Sequence, residues 1–364
     1  MADLFDRTLR SSIGTAVNLF FRAPDLLRRF GREPGTFFIC VDEAGLWGNL
    51  RIIDPTNALW RIMVDNADPA LTVDTVDREA YLMRALGRSC EVEWIDTAIW
   101  KRRSVVAERY SQGRVFLAGD AVHQHSPTGA LGMNSGIGDA VDLGWKLAAL
   151  LEGWSGDGRL ASYDLERRPI GERNVRQATE FYRHNAALDG MGAEMRLDSA
   201  AGRTARERLG QILMRDIVRE FDTLGMQIGY RYENSPICVP DGTPSPADDP
   251  ATYVPTARPG SRAPHVWLDD GRSILDLFGR GFVLLRFPDA PDPSGLEAAA
   301  KRCRLPLTVV SVGDRTAAEL YDEHFVLIRP DGHVAWRGSE LPVQPDTLLA
   351  RVRGAAVPTD LNAN

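Results

Sequence analysis

Cysteine is scarce in this chain. Its four cysteines, Cys40, Cys90, Cys238 and Cys303, lie far apart, with no CxxC pair and no Cys/His cluster. Such spacing argues against a zinc site and against dithiol chemistry, and a reducing cytoplasm is the expected compartment. Excess positive charge is also missing: the formal net charge is −7, so a sequence-independent grip on nucleic acid is not expected. No long hydrophobic run occurs. The longest apolar helical pattern, 137–151, carries Lys146 and glycines and is no membrane span. The opening MADLFDRTLRSS has no apolar core and does not read as a secretory signal. Internal repeats and low-complexity tracts are absent as well. What is present is an ordinary 44% apolar fraction over 364 residues, enough for two or three domains with real cores.

The first hundred residues read as β-rich. TAVNLFF (15–21), TFFICVD (36–42), LWGNLRII (46–53) and LWRIMVD (59–65) have strand length and composition, with turns at DEAG and DPTN. VDREAYLMRAL (76–86) predicts a helix, and EVEWIDTAIW (91–100) alternates like a strand with one wet face. RVFLAG (114–119) is apolar enough for a short buried strand. A helix is expected from about Met133 or Asn134, with Ile137, Ala140, Val141, Gly144, Leu147 and Leu151 on one face. Asp139 falls in its early turns, and Asp142 with Lys146 forms an i,i+4 pair. Residues 159–232 continue mainly helical. Eight of the 22 prolines fall in 236–264, which predicts a stiff, extended connector. After it come strand 281–287, helix 296–303, strand 307–312, helix 316–322, an Asp-Gly hairpin over 324–338 and helix 345–354, a small separate α/β domain.

The strand–loop–helix of 114–151 is where chemistry concentrates. A helix N-terminus presents free backbone N–H groups and partial positive charge, suited to an anion or a carbonyl that gains charge. Gly129, Gly132, Gly136 and Gly138 let backbone approach a flat ligand, and Asp120 can accept hydrogen bonds from ligand hydroxyls. Those parts suit a polyol-bearing cofactor with an electron-accepting ring. A tight strand–helix connection with Asp120 as a local cap fits the same residues equally well.

The run GRVFLAGDAVHQHSPTGALGMNSGIGDAVDLGWKLAALL (113–151) resembles the Gly-Asp flavin motif of the FAD-dependent aromatic hydroxylases, the single-component flavoprotein monooxygenases related to p-hydroxybenzoate hydroxylase. YDLERRPIGERNV (163–175) resembles the segment that follows it. LGMQIGYRYENSPICVPDGTP (224–244) resembles the passage before the C-terminal domain of the phenol-hydroxylase-like branch. The resemblance implies a mixed α+β and α/β fold. A substrate-binding sheet domain would span 1–105, and a flavin-contact strand–helix with a helical continuation 106–240. A proline-rich linker would follow at 241–264, then a thioredoxin-like domain without CxxC at 265–364. It further implies FAD as cofactor, NAD(P)H as reductant, and hydroxylation of a phenolic or polycyclic aromatic substrate with dioxygen. Gly119 and Asp120 would meet the ribityl chain. Pro127 would lie beside the isoalloxazine ring and shape the oxygen pocket. Gly129 belongs to the same loop, and the amides of Gly132, Met133 and Asn134 would face the flavin pyrimidine, where the helix dipole favours negative charge on the reduced ring. Ala130 and Leu131 stand where the family often has Gly and a polar or aromatic residue.

The family opens with a βαβ unit whose GxGxxG turn holds the FAD pyrophosphate. Nothing before residue 113 matches it, and the Asp-Gly pairs here all come later than the family's second nucleotide motif. The expectation is a chain that keeps the ring end of the flavin site and lacks the ADP end. Three explanations stand open: a fragment or late start, half of a split enzyme completed by a second chain, or a non-catalytic relative. The intact flavin motif favours the first. His123 and His125 have no third ligand nearby and read as ordinary polar histidines, with no metal site expected. Trp47, Trp60 and Trp100 are pocket candidates, although aromatics on strands more often serve the core. Arg51 and Arg61 could attract a carboxylate or phenolate, with a solvated sheet face as the plainer reading. Lys101–Arg103 reads as surface and Cys303 as buried. A small aromatic substrate is the expected partner, with no nucleic acid and no membrane; oligomeric state is not legible.

Overall fold

The strand-rich first hundred residues build most of one antiparallel sheet. The computed structural model describes residues 11–29, 35–156, 158–186 and 193–355. The opening MADLFDRTLR and part of the expected helical stretch, 187–192, lie outside the described residues. β1 (Ser11–Arg22), α1 (Pro24–Arg29), β2 (Phe37–Asp42), β3 (Gly45–Asp54), β4 (Leu59–Val64), α2 (Arg78–Leu86) and β5 (Glu93–Val106) come first. They are followed by β6 (Ser111–Gln112), β7 (Val115–Phe116) and β8 (His123–Gln124). The sheet order is β2-β3-β4-β1-β5-β8, with β1 central and antiparallel to β4 and β5. Period-two geometry sorts β4: Trp60, Ile62 and Val64 enter the core under α2, while Arg61 and Met63 face the other side. α2 starts where the Asp77 side chain accepts from the Ala80 N–H, and it ends at Gly87 with φ +68°.

α3 (Leu131–Leu151) and α4 (Gly158–Ala186) pack against each other. α5 (Ala200–Ile212), a π-helical turn (Leu213–Ile217), a 3-10 turn (Val218–Glu220) and α6 (Leu224–Ile228) follow. Residues 236–264 contain no helix or strand beyond isolated bridges, as their prolines require. The last part holds β9 (Phe282–Arg286), α7 (Ser294–Arg302), β10 (Leu307–Ser311), α8 (Arg315–Tyr321), β11 (Phe325–Ile328), β12 (Val334–Gly338) and α9 (Pro345–Val352). Its sheet runs β10-β9-β11-β12, with β10 and β9 parallel and β11 antiparallel to both of its neighbours. β9 is apolar at consecutive positions because both faces are covered. Phe282 and Leu284 pack with α7 and α9, whereas Val283 and Leu285 pack with α8 and the connector.

Several expectations need correction. The strand expected over 114–119 is only β7, a two-residue partner of β6, and Val115 is 45% exposed. α3 begins two or three residues earlier than expected, at Leu131. Its apolar stripe is not its buried face: Ile137 and Val141 are more than half exposed and Leu151 is 87% exposed. Asp139, Asp142 and Lys146 are instead fully buried. Burying charge is tolerable here because partners surround it. Lys146 Nζ donates to Asp142 (2.7 Å) and to Glu166 on α4 (2.6 Å). Arg329, just after β11, reaches Glu166 (2.6 Å), Asp142 (3.2 Å) and Asp331 (2.6 Å). The i,i+4 pair is thus part of a buried network that ties the C-terminal sheet to α3 and α4. Arg102 is 1% exposed and bonded to Asp65, so Lys101–Arg103 is not uniformly surface. Cys303 is only half-buried, at the end of α7.

Candidate active site

The loop between β7 and α3 is held by long-range bonds. β8 pairs with the end of β5 through Val105–Gln124 and Val106–His123, which stitches the loop into the first sheet. Upstream, the chain turns at Gly119 (φ +59°) into a short 3-10 turn. Asp139, two turns into α3, anchors all of this. Its Oδ2 accepts from the Gly119 N–H (3.0 Å) and pairs with His123 Nε2 (2.8 Å), and its Oδ1 accepts from Arg167 Nε (2.9 Å). Burial pushes the Asp139 carboxyl up, but the bond to His123 and the Arg167 charge outweigh it and hold it below the ordinary carboxylate range. Arg167 sits two residues before Pro169, which breaks the hydrogen-bond ladder inside α4. The following Gly171 admits Tyr110, whose hydroxyl leaves no room for a Cβ there.

α3 starts without a side-chain cap. Ala130 is the N-cap residue in a left-handed conformation (φ 53°), a geometry that glycine adopts at less cost. The Asn134 amide and the Ser135 hydroxyl donate to the carbonyls of Ala130 and Leu131, so they leave the first-turn N–H groups uncapped. Those amides border a groove of about 490 Å³. Asp120, His125, Pro127, Gly132, Met133 and Asn134 line one side, and Trp100, Lys101 and Arg103 of β5 line the other. The Asp120 carboxylate has no bonded partner among the described residues. His125 is mostly buried, and neither ring nitrogen has a hydrogen-bond partner among the described residues; burial and neighbouring His123 push its pKa down to about 3, so the imidazole is uncharged.

A second cavity, about 240 Å³, opens on the other side of the same loop. Pro127 and Ala130 belong to both spaces. The sheet contributes Asn49, Arg51, Arg61, Met63, Asp65 and Arg102; α4 contributes Tyr182 and Asn185; Ile217, Glu220 and Phe221 close the far wall. Arg61 donates to Asn49 (3.1 Å), while burial and the Arg51 charge lower its pKa.

Of the cofactor residues expected from sequence, Asp120, Pro127, Gly132, Met133 and Asn134 line the groove. Gly129 (φ +82°) lines the cavity instead, and a Cβ there would meet the Phe181 ring at 3.0 Å. Gly119 lines neither space, and its N–H donates to Asp139. Trp100 is in the groove and Arg51 in the cavity. Trp60 is core, on the opposite face of β4 from Arg61. Trp47 sits at a register shift in β3 and faces α2, stacked on Tyr81. Neither tryptophan lines the groove or the cavity. Sequence reasoning missed His125 and Glu220 as site residues, and it gave Asp139 only a helix-dipole role. The H-Q-H spacing was visible, but nothing local says that one imidazole is bonded and the other is not.

These residues fit a flavin: uncapped amides, a free carboxylate beside them, an unbonded uncharged imidazole and glycines that admit close approach. The sequence pattern of an FAD-binding domain matches residues 54–178, and that of the C-terminal region of aromatic-ring hydroxylases matches 256–356. The chain is 36% identical over 356 residues to a 4-methyl-5-nitrocatechol 5-monooxygenase from Burkholderia, covering 92% of this chain and 59% of that protein. It is 38% identical over 274 residues to the FAD-dependent monooxygenase apdD of Emericella nidulans, covering 70% of this chain and 43% of that one. The chain spans roughly half the length of such curated relatives. Among solved structures, the rebeccamycin biosynthetic enzyme RebC with reduced flavin superposes with a TM-score of 0.88 at 38% identity, over 98% of this chain and 66% of that one. The flavin-dependent monooxygenase PieE, in complex with FAD and substrate, gives 0.83 at 32% identity, over 97% and 68%. No described helix is long and apolar enough to cross a membrane. The chain belongs to the family of FAD-dependent aromatic-ring hydroxylases.

Proposed function

We propose that this chain carries the ring end of the flavin site and the substrate cavity of an FAD-dependent monooxygenase that hydroxylates a phenolic or polycyclic aromatic compound with NAD(P)H and dioxygen. The observation that carries the reading is that the groove and the cavity share one wall, Pro127 and Ala130. A ring in the groove and an aromatic compound in the cavity would meet there. Bound FAD would supply the redox chemistry, as cofactors do in such enzymes. The chain's own residues bind and orient. Asp120 accepts hydrogen bonds from the polyol hydroxyls. The amides of Gly132, Met133 and Asn134 and the α3 dipole favour negative charge at the ring edge. Arg51, Arg61 and Arg102 give the cavity a cationic wall suited to a substrate with an ionised oxygen. Phe37 and Phe221, packed edge to face at 5.9 Å, give the cavity an aromatic rim.

Co-expression with the dinucleotide-binding segment of a relative tests this. The expected product is a yellow complex that oxidises NAD(P)H faster when a polycyclic phenol is added, with flavin occupancy lowered by Asp120→Ala. A stable complex that never retains flavin refutes it.

A second reading, a split-enzyme or non-catalytic module that needs a partner chain to bind FAD, is favoured by one feature. Met133, Ile137, Val141 and Leu151 form an exposed apolar stripe on α3, the kind of patch that a partner surface covers. Under this reading the segment and the chain assemble from separate polypeptides on mixing, which size-exclusion chromatography reads directly.

A further inference from the structure

The cavity wall carries a carboxylate placed there by an irregular helix. On α5 the buried positions Gly202 and Leu209 are seven residues apart, so a regular helix would next bury Asp216. The π-helical turn Leu213–Ile217 shifts the phase by one residue: Ile217 is buried instead, and Glu220 and Phe221 turn into the cavity. Single π-turns recur at functional sites. Asn185 Nδ2, from α4, donates to Glu220 Oε2 (3.2 Å), while Oε1 has no partner among the described residues.

We propose that Glu220 accepts the proton of the substrate's ring hydroxyl, a role that rests on the reading of the cavity given above. An aromatic ring is attacked more readily by an electrophilic oxygen when its hydroxyl is ionised, because the oxygen then donates electron density to the ring. The step is a proton transfer alone. The substrate O–H bond breaks, its electron pair stays on the substrate oxygen, and the proton bonds to Glu220 Oε1. The charges around it are arranged for this. Asp65 after β4 and Arg102 on β5 face it with opposite signs, Asp216 on its own segment is held by Arg215, and Arg51 and Arg61 supply positive charge on the sheet side. Burial pushes the carboxyl up, Asn185 pulls it down, Asp65 raises it and Arg102 lowers it, leaving it at about 7. A free phenol titrates near 10, roughly three units higher, and the arginine wall narrows that gap by stabilising the phenolate.

The test is calorimetric titration of the full chain with 2-naphthol and with its methyl ether, from about pH 6 to about pH 8. An ionised Glu220 binds the hydroxyl, so naphthol affinity is expected to fall up to about tenfold per pH unit as the carboxyl gains its proton. The ether, which has no proton to give, should show no such trend. Glu220→Gln should flatten the naphthol profile and leave ether affinity unchanged, which also reports an intact cavity; Glu220→Asp should restore the slope. A Glu220→Gln protein that keeps the naphthol slope overturns the proposal while leaving the cavity assignment standing. Failure of both ligands to bind the unaltered chain overturns the cavity assignment and the proposal with it.

Discussion

Replacing Lys146 by methionine probes the buried network that joins α3, α4 and the C-terminal sheet. Lys146 Nζ lies 2.7 Å from Asp142 and 2.6 Å from Glu166, and all three side chains are 1% exposed or less. Methionine keeps most of the stem but removes the charge, leaving Asp142, Glu166 and Asp331 to Arg329. Removing one partner of a buried ion pair costs about 3–5 kcal/mol. That cost depends on pH in a definite sense. Asp142 already titrates at about 7, because burial pushes it up, Lys146 pulls it down, Glu166 pushes it up and Arg329 pulls it down. A carboxyl whose folded pKa is raised contributes stability below its ordinary pKa and loses it as pH rises through the folded value. Without Lys146 that folded value moves higher still. The extra loss therefore develops between pH 7 and the variant's pKa, at about 1.4 kcal/mol per pH unit, and is constant below that window. Urea unfolding followed by tryptophan fluorescence at about pH 6 and about pH 9 should show a clearly larger loss at the alkaline end. A loss under about 1 kcal/mol at alkaline pH, or an equal loss at both, would mean that the network does not hold these charges as described.

Asp139→Asn removes the charge that Arg167 and His123 share and should lower stability by about 3 kcal/mol in the same unfolding assay; a change under 1 kcal/mol would deny its anchoring role. Ala130→Gly relieves a left-handed alanine but adds chain entropy to the unfolded state, so a net gain of about 0–1 kcal/mol is expected, and a clear loss would show the turn is not strained. Val141→Glu should change stability by less than about 0.5 kcal/mol, because the side chain is exposed; a loss above about 2 kcal/mol would place it in a core. Glu220→Gln should raise the melting temperature at about pH 8 and lose that gain near pH 5, since the carboxyl's folded pKa is raised and its charge is unfavourable only at the higher pH.

Much of the backbone was legible because its signals are local. Strand length and composition marked β1 to β4, alternation marked β5, and the Asp-Gly turn at Asp331–Gly332 placed the hairpin of β11 and β12. The Gly-Asp motif pointed to the groove, since a loop that needs glycines and an uncapped helix start must state them in consecutive residues. The sequence by itself also determined that α3 would be two-faced. Only the tertiary structure decided which face goes inside: Asp142 and Lys146 are buried because Glu166 and Arg329, 20 to 187 residues away along the chain, come to meet them. The same holds for His125, whose ring nitrogens have no hydrogen-bond partner among the described residues, and for Glu220 turned into the cavity by a π-turn. Spacing along the chain fixes which side chains share a face, but whether a charge finds its counter-charge depends on elements that meet only when the chain is folded.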